Sequence, residues 1–473
     1  MIGKNQIVID STEFLKGMTT TVDTQDGGFS PETVLCNLIA EPGVINAQTD
    51  AADGDSDVVL TGEIIASCPD PAVADTNYRI VVTDDAKYYA YNGTKLGAVI
   101  DTDATAGVVY SEGVTDMITF NGKVYTTNDD YVTELTLPAT LNKTYHAFAS
   151  GAVLHPAVVF ENNAYYGDGN LLKRQTPTTT PATILTLATG HYISALGIDP
   201  GTGKMLIATT EVLNWTNVLP KVNKIMWYDG YSNKVIKSII VEDLVTAFYH
   251  VAGIVYVGYG QNLGYLTGSG ITFLRKLTNV TLVKAELPYK HHFANLGRTL
   301  CVVNGREVLA FGEIEPGRKI FHNIWYNSLD TNKIRAIFDA GQHKLGISKD
   351  TTKFYTYDIT DLTPVVSGGV YFYSKRYEFP RPVFIRRVRV FFKTAIAAAA
   401  TAGICAVSIV DDTGTTTSLG AISSDADNAQ KVVETPVSNF KTSSLQIRHT
   451  MAPATSTLIH GVLKFIIYYD VAE

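Results

Sequence analysis

The sequence predicts an all-β protein: a β-propeller of about seven blades followed by a C-terminal β-sandwich. Three observations predict it. Strand and turn formers are abundant, with 38 Gly and 26 Tyr in 473 residues, beside many Thr and Val. An apolar stretch, a tight Asn/Gly turn and a Tyr- or Val-rich strand recur together at roughly 40 to 50 residues, the period of a propeller blade. After Val370 this unit stops, and about six or seven strands crowd into roughly 100 residues, as in a small sandwich.

The elements follow in order. Residues 1–55 form an extended arm. It holds the turn-rich stretch Gly27 to Glu32, the EPG of Glu41 to Gly43, and an acidic run from Asp50 to Asp57. Residues 56–370 are the propeller. Val58 to Ser67 reads as a strand that closes the ring against the last blade. Tyr78 to Gly93 is a hairpin turning at Asp84-Asp85. Six further units begin at Met117, Ala157, Ala195, Ala247, Asn295 and Ala340. Their Asn-Gly, Asn-Asn, Gly-Thr-Gly and Ala-Gly turns use residues that tolerate positive φ, as two-residue hairpins require. Residues 371–473 are the sandwich. In it Pro380 and Pro382 mark a bend between two strands, Ala395 to Val410 reads as a small-residue loop and then a strand, and Leu458 to Val471 closes the fold.

Composition excludes several classes. With 45% hydrophobic and 18% charged residues, the chain is neither disordered nor a coiled coil. The first residues lack the apolar core of a secretory signal. No stretch reaches the roughly 18 to 20 apolar residues of a membrane span. Cys36, Cys68, Cys301 and Cys405 lie far apart, without the spacing of a zinc site. Together these predict synthesis in a reducing cytoplasm, without disulfides. The net charge of −8 is unevenly spread. Residues 1–110 carry 17 acidic and 5 basic side chains, a net of −12; residues 371–473 carry 8 and 11, a net of +3. An acidic front and a basic back suit contact between neighbouring subunits. They do not suit tight nucleic-acid binding, which needs a basic face.

Motifs for chemistry are few. Gly201-Thr-Gly203-Lys204 looks like the end of a phosphate-binding loop, but Ile198 and Met205 stand where that loop needs Gly and Ser/Thr, so it reads as a hairpin turn. Asp53, Asp55 and Asp57 alternate as carboxylates do at the start of a calcium loop, yet Val58 and Ile64 replace its Gly and Glu; they are a weak candidate metal site in an acidic loop. Ser348 to Phe354 partly matches an Asp-box turn. His291-His292 has no Asp or Glu nearby at ligand spacing, and reads as two ordinary polar histidines. Trp227 and Trp325 read as blade core, with sugar stacking as the alternative. No nucleophile–base signature occurs, so the expectation is no enzymatic activity and no cofactor.

The most informative charges lie on one strand. Lys375, Arg376, Arg381, Arg386, Arg387, Arg389 and Lys393 fall within 19 residues. Strand alternation puts Arg387 and Arg389 on one face with Ile385, and Arg386 with Val388 and Val390 on the other. Arginines on both faces predict an interface with a carboxylate-rich neighbour, assigned to Lys375, Arg376, Arg386, Arg387 and Arg389.

An arm carrying GGFSPETVLCNLIAEPGVI, a propeller of short hairpins without WD40 or kelch signatures, the junction strand YFYSKRYEFPRPVFIRRVRV, and a C-terminal sandwich stand in that order. This layout resembles the nozzle or tail-hub proteins of short-tailed bacteriophages. The resemblance implies a structural virion protein in the tail. It implies a homo-oligomeric ring of about six copies, docked to adaptor or portal-side tail proteins and to fibres or spikes. The ring would retain the genome and then guide DNA out without specific binding, and an acidic wall from residues 1–110 would let phosphates slide past. The alternative is a carbohydrate- or receptor-binding propeller on a virion or cell surface; a glycan hydrolase would need paired carboxylates in the propeller mouth.

Overall fold

The computed structural model describes residues 5–10, 14, 36–37, 46–47, 52–53, 58–75, 77–150, 153–211, 222–277, 287–315, 318–326, 333–341, 343–349, 354–358, 370–393, 405–422, 432–451 and 461–472. Seven four-stranded antiparallel sheets run in series, the blades of a β-propeller. Their first strands are Ile64–Pro69, Met117–Phe120, Ala157–Phe160, Tyr192–Asp199, Val245–Val251, Phe293–Leu296 and Ala336–Gly341. First strands of successive blades face one another, and the last faces the first, so they ring the axis.

The turns form as their residues dictate. Asn121-Gly122 and Ala252-Gly253 carry positive φ at both places (48° and 73°, 49° and 84°), the geometry of a two-residue hairpin that matches strand twist. Each blade is apolar on both faces because it is covered by a neighbour on each side. Ile80 and Val82 of the first blade pack with Met117 and Val124 of the second. Tyr91 and Leu96 of the first pack with Phe338 and Phe354 of the seventh, which seals the ring.

The closing strand differs from the sequence expectation. Ala52–Asp53 pairs with Phe354–Asp358 and supplies the fourth strand of the seventh blade. Within Val58 to Ser67 the strand starts only at Ile64, and it opens the first blade by pairing with Tyr78–Thr83. A two-residue ladder leaves no apolar run to read, so the longer stretch was the visible candidate.

By internal contacts the chain forms two units. One comprises Ala52–Arg306 with Asn332–Thr356; the other comprises Met1–Ala51, Glu307–Thr331 and Tyr357–Glu473. In the second, Asn5–Ile9, Val462–Val471, Tyr377–Phe392, Val432–Met451, Cys405–Val410 and Thr416–Ile422 lie side by side, with Val370–Tyr373 also pairing to Val432–Met451. Where the sequence predicts a sandwich, the described strands form one seven-stranded sheet. The 20-residue strand Val432–Met451 pairs with Tyr377–Phe392 through its first part and with Cys405–Val410 through its last. Phe372 stacks on Phe465 at 6.0 Å and meets Phe14 edge-on at 5.5 Å, so rings from separate parts of the sheet share one core. Pro380 and Pro382 do not divide two strands. Tyr377–Phe392 is continuous, with its register shifted between Glu378 and Val383, because proline cannot donate to a ladder and is tolerated at such an irregularity.

Candidate functional site at the propeller axis

The polar groups around the axis come from one kind of position: the residues that lead into first strands. Glu63 precedes the first blade, Glu112 and Asp116 the second, Leu287 to His292 the sixth, and Arg335 the seventh. Asp84, at the turn after Tyr78–Thr83, sits at the same end, its Oδ1 accepting the Glu63 N–H at 2.9 Å.

The stretch Leu287 to His292 lies across the axis. Thr246 Oγ1 donates to the Pro288 carbonyl at 3.0 Å. The Tyr289 ring fills the space over Gly113 (φ 75°), where a Cβ would stand 2.2 Å from the ring. Lys290–His292 form a 3-10 turn. The Lys290 ammonium donates to Asp116 Oδ1 at 2.8 Å and to the Ala157 carbonyl at 3.0 Å. His291 Nε2 lies 3.1 Å from the same Asp116 oxygen, and the N–H groups of Met117 and Ala157 also donate to this carboxylate. Burial pushes the Asp116 carboxyl up, but Lys290 and His291 outweigh it and hold it well below the usual carboxylate range. Burial in turn lowers both histidines, His292 to about 4, so neither is a cation at neutral pH.

A second cluster adjoins the first. Arg335 donates from Nε to Glu63 Oε2 at 2.7 Å and from Nη1 to Glu112 Oε1 at 3.1 Å. Burial pushes the Glu112 carboxyl up to about 8; Arg335 opposes the rise and the charges of Glu63 and Asp84 add to it. Asp84 is raised by its own burial and by Asp85. A pocket of about 320 Å³ opens here, lined by Glu63, Ile65, Asp84, Tyr110, Ser111, Glu112 and Arg335. Among the described residues, no group of three or more His, Cys, Asp or Glu could hold a metal ion.

Sequence reasoning missed this assembly. Arg335 is 272 residues from Glu63 and 223 from Glu112; the one usable signal was a charged residue just before successive first strands. His291 and His292 are not ordinary surface histidines: both are buried, and their carboxylates come from the distant stretch 112–116.

The residues singled out from sequence lie elsewhere. Arg386 pairs with Asp470 at 2.7 Å and Arg387 with Glu434 at 2.9 Å. Arg389 also pairs with Glu434, and Arg387 and Arg389 both lie over the Tyr468 ring. Arg376 donates to the Asp411 carbonyl at 2.7 Å, and Lys375 lies over Tyr377. Arg386, Arg387 and Arg389 thus have carboxylate partners within this chain. The face assignment also changes. A register shift between Ile385 and Arg387 puts Ile385, Val388 and Val390 together in the core, with Arg386 exposed and Arg387 and Arg389 half-buried opposite. A bulge resets the alternation of two.

Asp53 lies in the strand that closes the seventh blade, while Asp55 and Asp57 fall outside the described residues. Gly201 to Lys204 is a hairpin turn, capped by Asp199 Oδ1 accepting the Gly201 N–H at 3.0 Å. Trp227 is buried in its blade and donates to Asp199 at 2.8 Å. The Trp325 side chain and residues 350–353 lie outside the described residues. Cys68 and Cys301 are buried thiols, Cys68 pushed up to about 12 by burial. Among the described residues no helix is long and apolar enough to cross a membrane.

No family model matches the sequence, and no curated protein sequence matches it. Solved structures are similar to parts of it at low identity. The computationally designed Ika8 protein is similar over 65% of this chain and 99% of its own, at 10% identity and a TM-score of 0.40. The WD40 β-propeller domain of Doa1 is similar over 65% and 97%, at 12% and 0.44. A chain of a mitotic checkpoint complex is similar over 67% and 96%, at 6% and 0.43. The class stands on the strand order itself: this is an all-β protein built on a seven-bladed β-propeller.

Proposed function

We propose that the chain is a structural protein of a bacteriophage tail, a nozzle- or hub-like component that works by contact and not by catalysis. One observation carries the contact reading: Glu63, Glu112 and Asp116 at the axis each accept from a basic side chain of this chain. Arg335 clamps an oxygen of both Glu63 and Glu112, and Lys290 and His291 share Asp116. A hydrolase needs one carboxylate on each side of a bond to be broken, and a clamp on both removes that freedom. The tail assignment rests on the layout of arm, hairpin propeller, basic junction strand and C-terminal β region. The same layout motivates a homo-oligomeric ring, docking of adaptor-side proteins and fibres, and passage of DNA along an acidic wall. The carbohydrate-binding reading loses Trp227, which is 4% exposed.

The test is the mass of the purified protein by light scattering, alone and with its tail neighbours added. A discrete ring, or co-assembly with those neighbours, is expected. Arg386→Glu with Arg387→Glu and Arg389→Glu, checked for retained β structure by circular dichroism, places or removes the basic strand at that contact. A chain that stays monomeric with every tail neighbour offered overturns the proposal.

A further inference from the structure

Cation count is the informative quantity at the Arg335 pocket. Three carboxylates, Glu63, Asp84 and Glu112, share its lining with one guanidinium. The other basic groups nearby are committed: Lys290 to Asp116, Lys87 to Asp85. His292 is kept neutral by burial, so it brings no charge. Arg335 occupies Glu63 Oε2 and Glu112 Oε1; among the described residues no side chain donates to Glu63 Oε1 or within hydrogen-bond reach to Glu112 Oε2. With all three carboxylates ionised the pocket would be two positive charges short; Glu112 answers by holding its proton, which leaves it one short.

A second observation is independent of the carboxylates. The Tyr289 backbone N–H donates to His292 Nδ1 at 3.3 Å, which leaves the ring proton on Nε2. That Nε2 is buried with no partner at hydrogen-bond geometry, in a side chain 6% exposed and 3.9 Å from Glu112 Oε2, although the Leu287 and Arg335 backbones lie close enough to act on the ring. A buried donor without a partner is costly. It is placed to serve an ionised Glu112, the state that an added cation would create.

We propose that this pocket binds a primary ammonium or guanidinium group, carried by a small free amine or by a lysine or arginine side chain of a partner. The cation would sit between Glu63 Oε1 and Glu112 Oε2, and Glu112 would release its proton to solvent as the cation enters. The groups that set this exchange are Arg335, Glu63, Asp84, His292 and the Tyr289 hydroxyl beside Glu112. The volume of about 320 Å³ suits a side-chain-sized ligand. The inference stands apart from the tail assignment, since it concerns one pocket and not an assembly.

Calorimetry on the full chain tests it, with propylammonium, propylguanidinium and the peptide Gly-Lys-Gly as probes. Each is titrated near neutral pH in two buffers of different ionisation heat. The expected result is binding coupled to release of about one proton, weakened about tenfold or more in Glu112→Gln and in Glu63→Gln. Preference for the peptide assigns the cation to a partner side chain; equal binding of the small amines assigns it to a free amine. Absence of binding by all three probes at about 10 mM overturns the proposal, as does binding unchanged in both variants. Should Glu112→Gln not fold, Glu63→Gln and the proton count of the unaltered protein decide, and binding without proton release overturns it.

Discussion

Arginine–carboxylate clusters occur in both units, with inverse stoichiometry and opposite electrostatic outcomes. In the propeller, Arg335 bridges Glu63 and Glu112, whose side chains are 12% and 8% exposed. In the C-terminal sheet, Arg387 and Arg389 converge on Glu434, whose side chain is 38% exposed. Hydrogen bonds from Arg389 and Arg387 pull the Glu434 carboxyl below its usual range. Burial pushes Glu112 up to about 8 despite Arg335. An arginine beside a carboxylate therefore does not fix which protonation state prevails; water does. Where water remains, the pair keeps both charges cheaply. Where it is removed, the desolvation penalty exceeds what one guanidinium returns.

The largest test of this contrast is Asp116→Ala. Asp116 is where the propeller supplies enough donors: the Lys290 ammonium and the neutral His291 ring on one oxygen, with backbone donors on both. Removing the carboxylate leaves the partly exposed Lys290 ammonium, the buried His291 ring and two buried N–H groups without their acceptor. Breaking a buried pair from one side costs roughly 3–5 kcal/mol. Denaturant unfolding should show a midpoint lowered accordingly, with an unchanged slope. A cost near that of a surface pair would mean that water reaches the axis and the contrast fails.

The second test uses pH. Glu112 titrates near its ordinary value of 4.5 when unfolded and at about 8 when folded. Between those values the folded state binds the extra proton, so stability falls as pH rises across this window. Histidines act with the opposite sign. Burial lowers His292 to about 4 and His449 to about 3, so their unfolded forms take up protons first, and stability falls as pH drops below about 6.5. Stability should peak between the two limbs. Glu112→Gln should flatten the alkaline limb, by on the order of 2–4 kcal/mol at its far end, and steepen the acid limb between about pH 4.5 and 6.5, where the Glu112 and histidine windows overlap with opposite sign. Unfolding midpoints measured across pH 5 to 9 for both proteins check this, and an alkaline limb identical in the two would refute the raised carboxyl.

The repeat was legible in the sequence and the axis was not, for a common reason. Blade hairpins are local: Asn121-Gly122 and Ala252-Gly253 state their turns in two residues, and apolar runs on either side state the strands. The axis is built by convergence, with Asp116 meeting His291 across 175 residues. No spacing in one chain encodes such a meeting when the partners lead into different blades. Two local features also hid. The closing strand Ala52–Asp53 sits at the edge of an acidic run that reads as loop. The shift after Ile385 turned the arginine faces over, because an alternation rule carries no mark of where a bulge resets it.

The smallest expected effect completes the comparison. Glu434→Gln removes the charge that Arg387 and Arg389 share, but both arginines keep water and the Tyr468 ring, at 4.1 Å and 5.5 Å from their guanidinium carbons. The ring contact does not depend on Glu434, and exposed ion pairs gain little over solvated charges. The unfolding midpoint should move far less than in Asp116→Ala. What difference remains should disappear at about 1 M salt, where charges are screened within roughly 3 Å, while most of the Asp116→Ala difference persists because the Asp116 carboxylate and the His291 ring are buried. Equal salt sensitivity in the two variants would show that the axis is hydrated, and would remove burial as the reason the two arginine clusters differ.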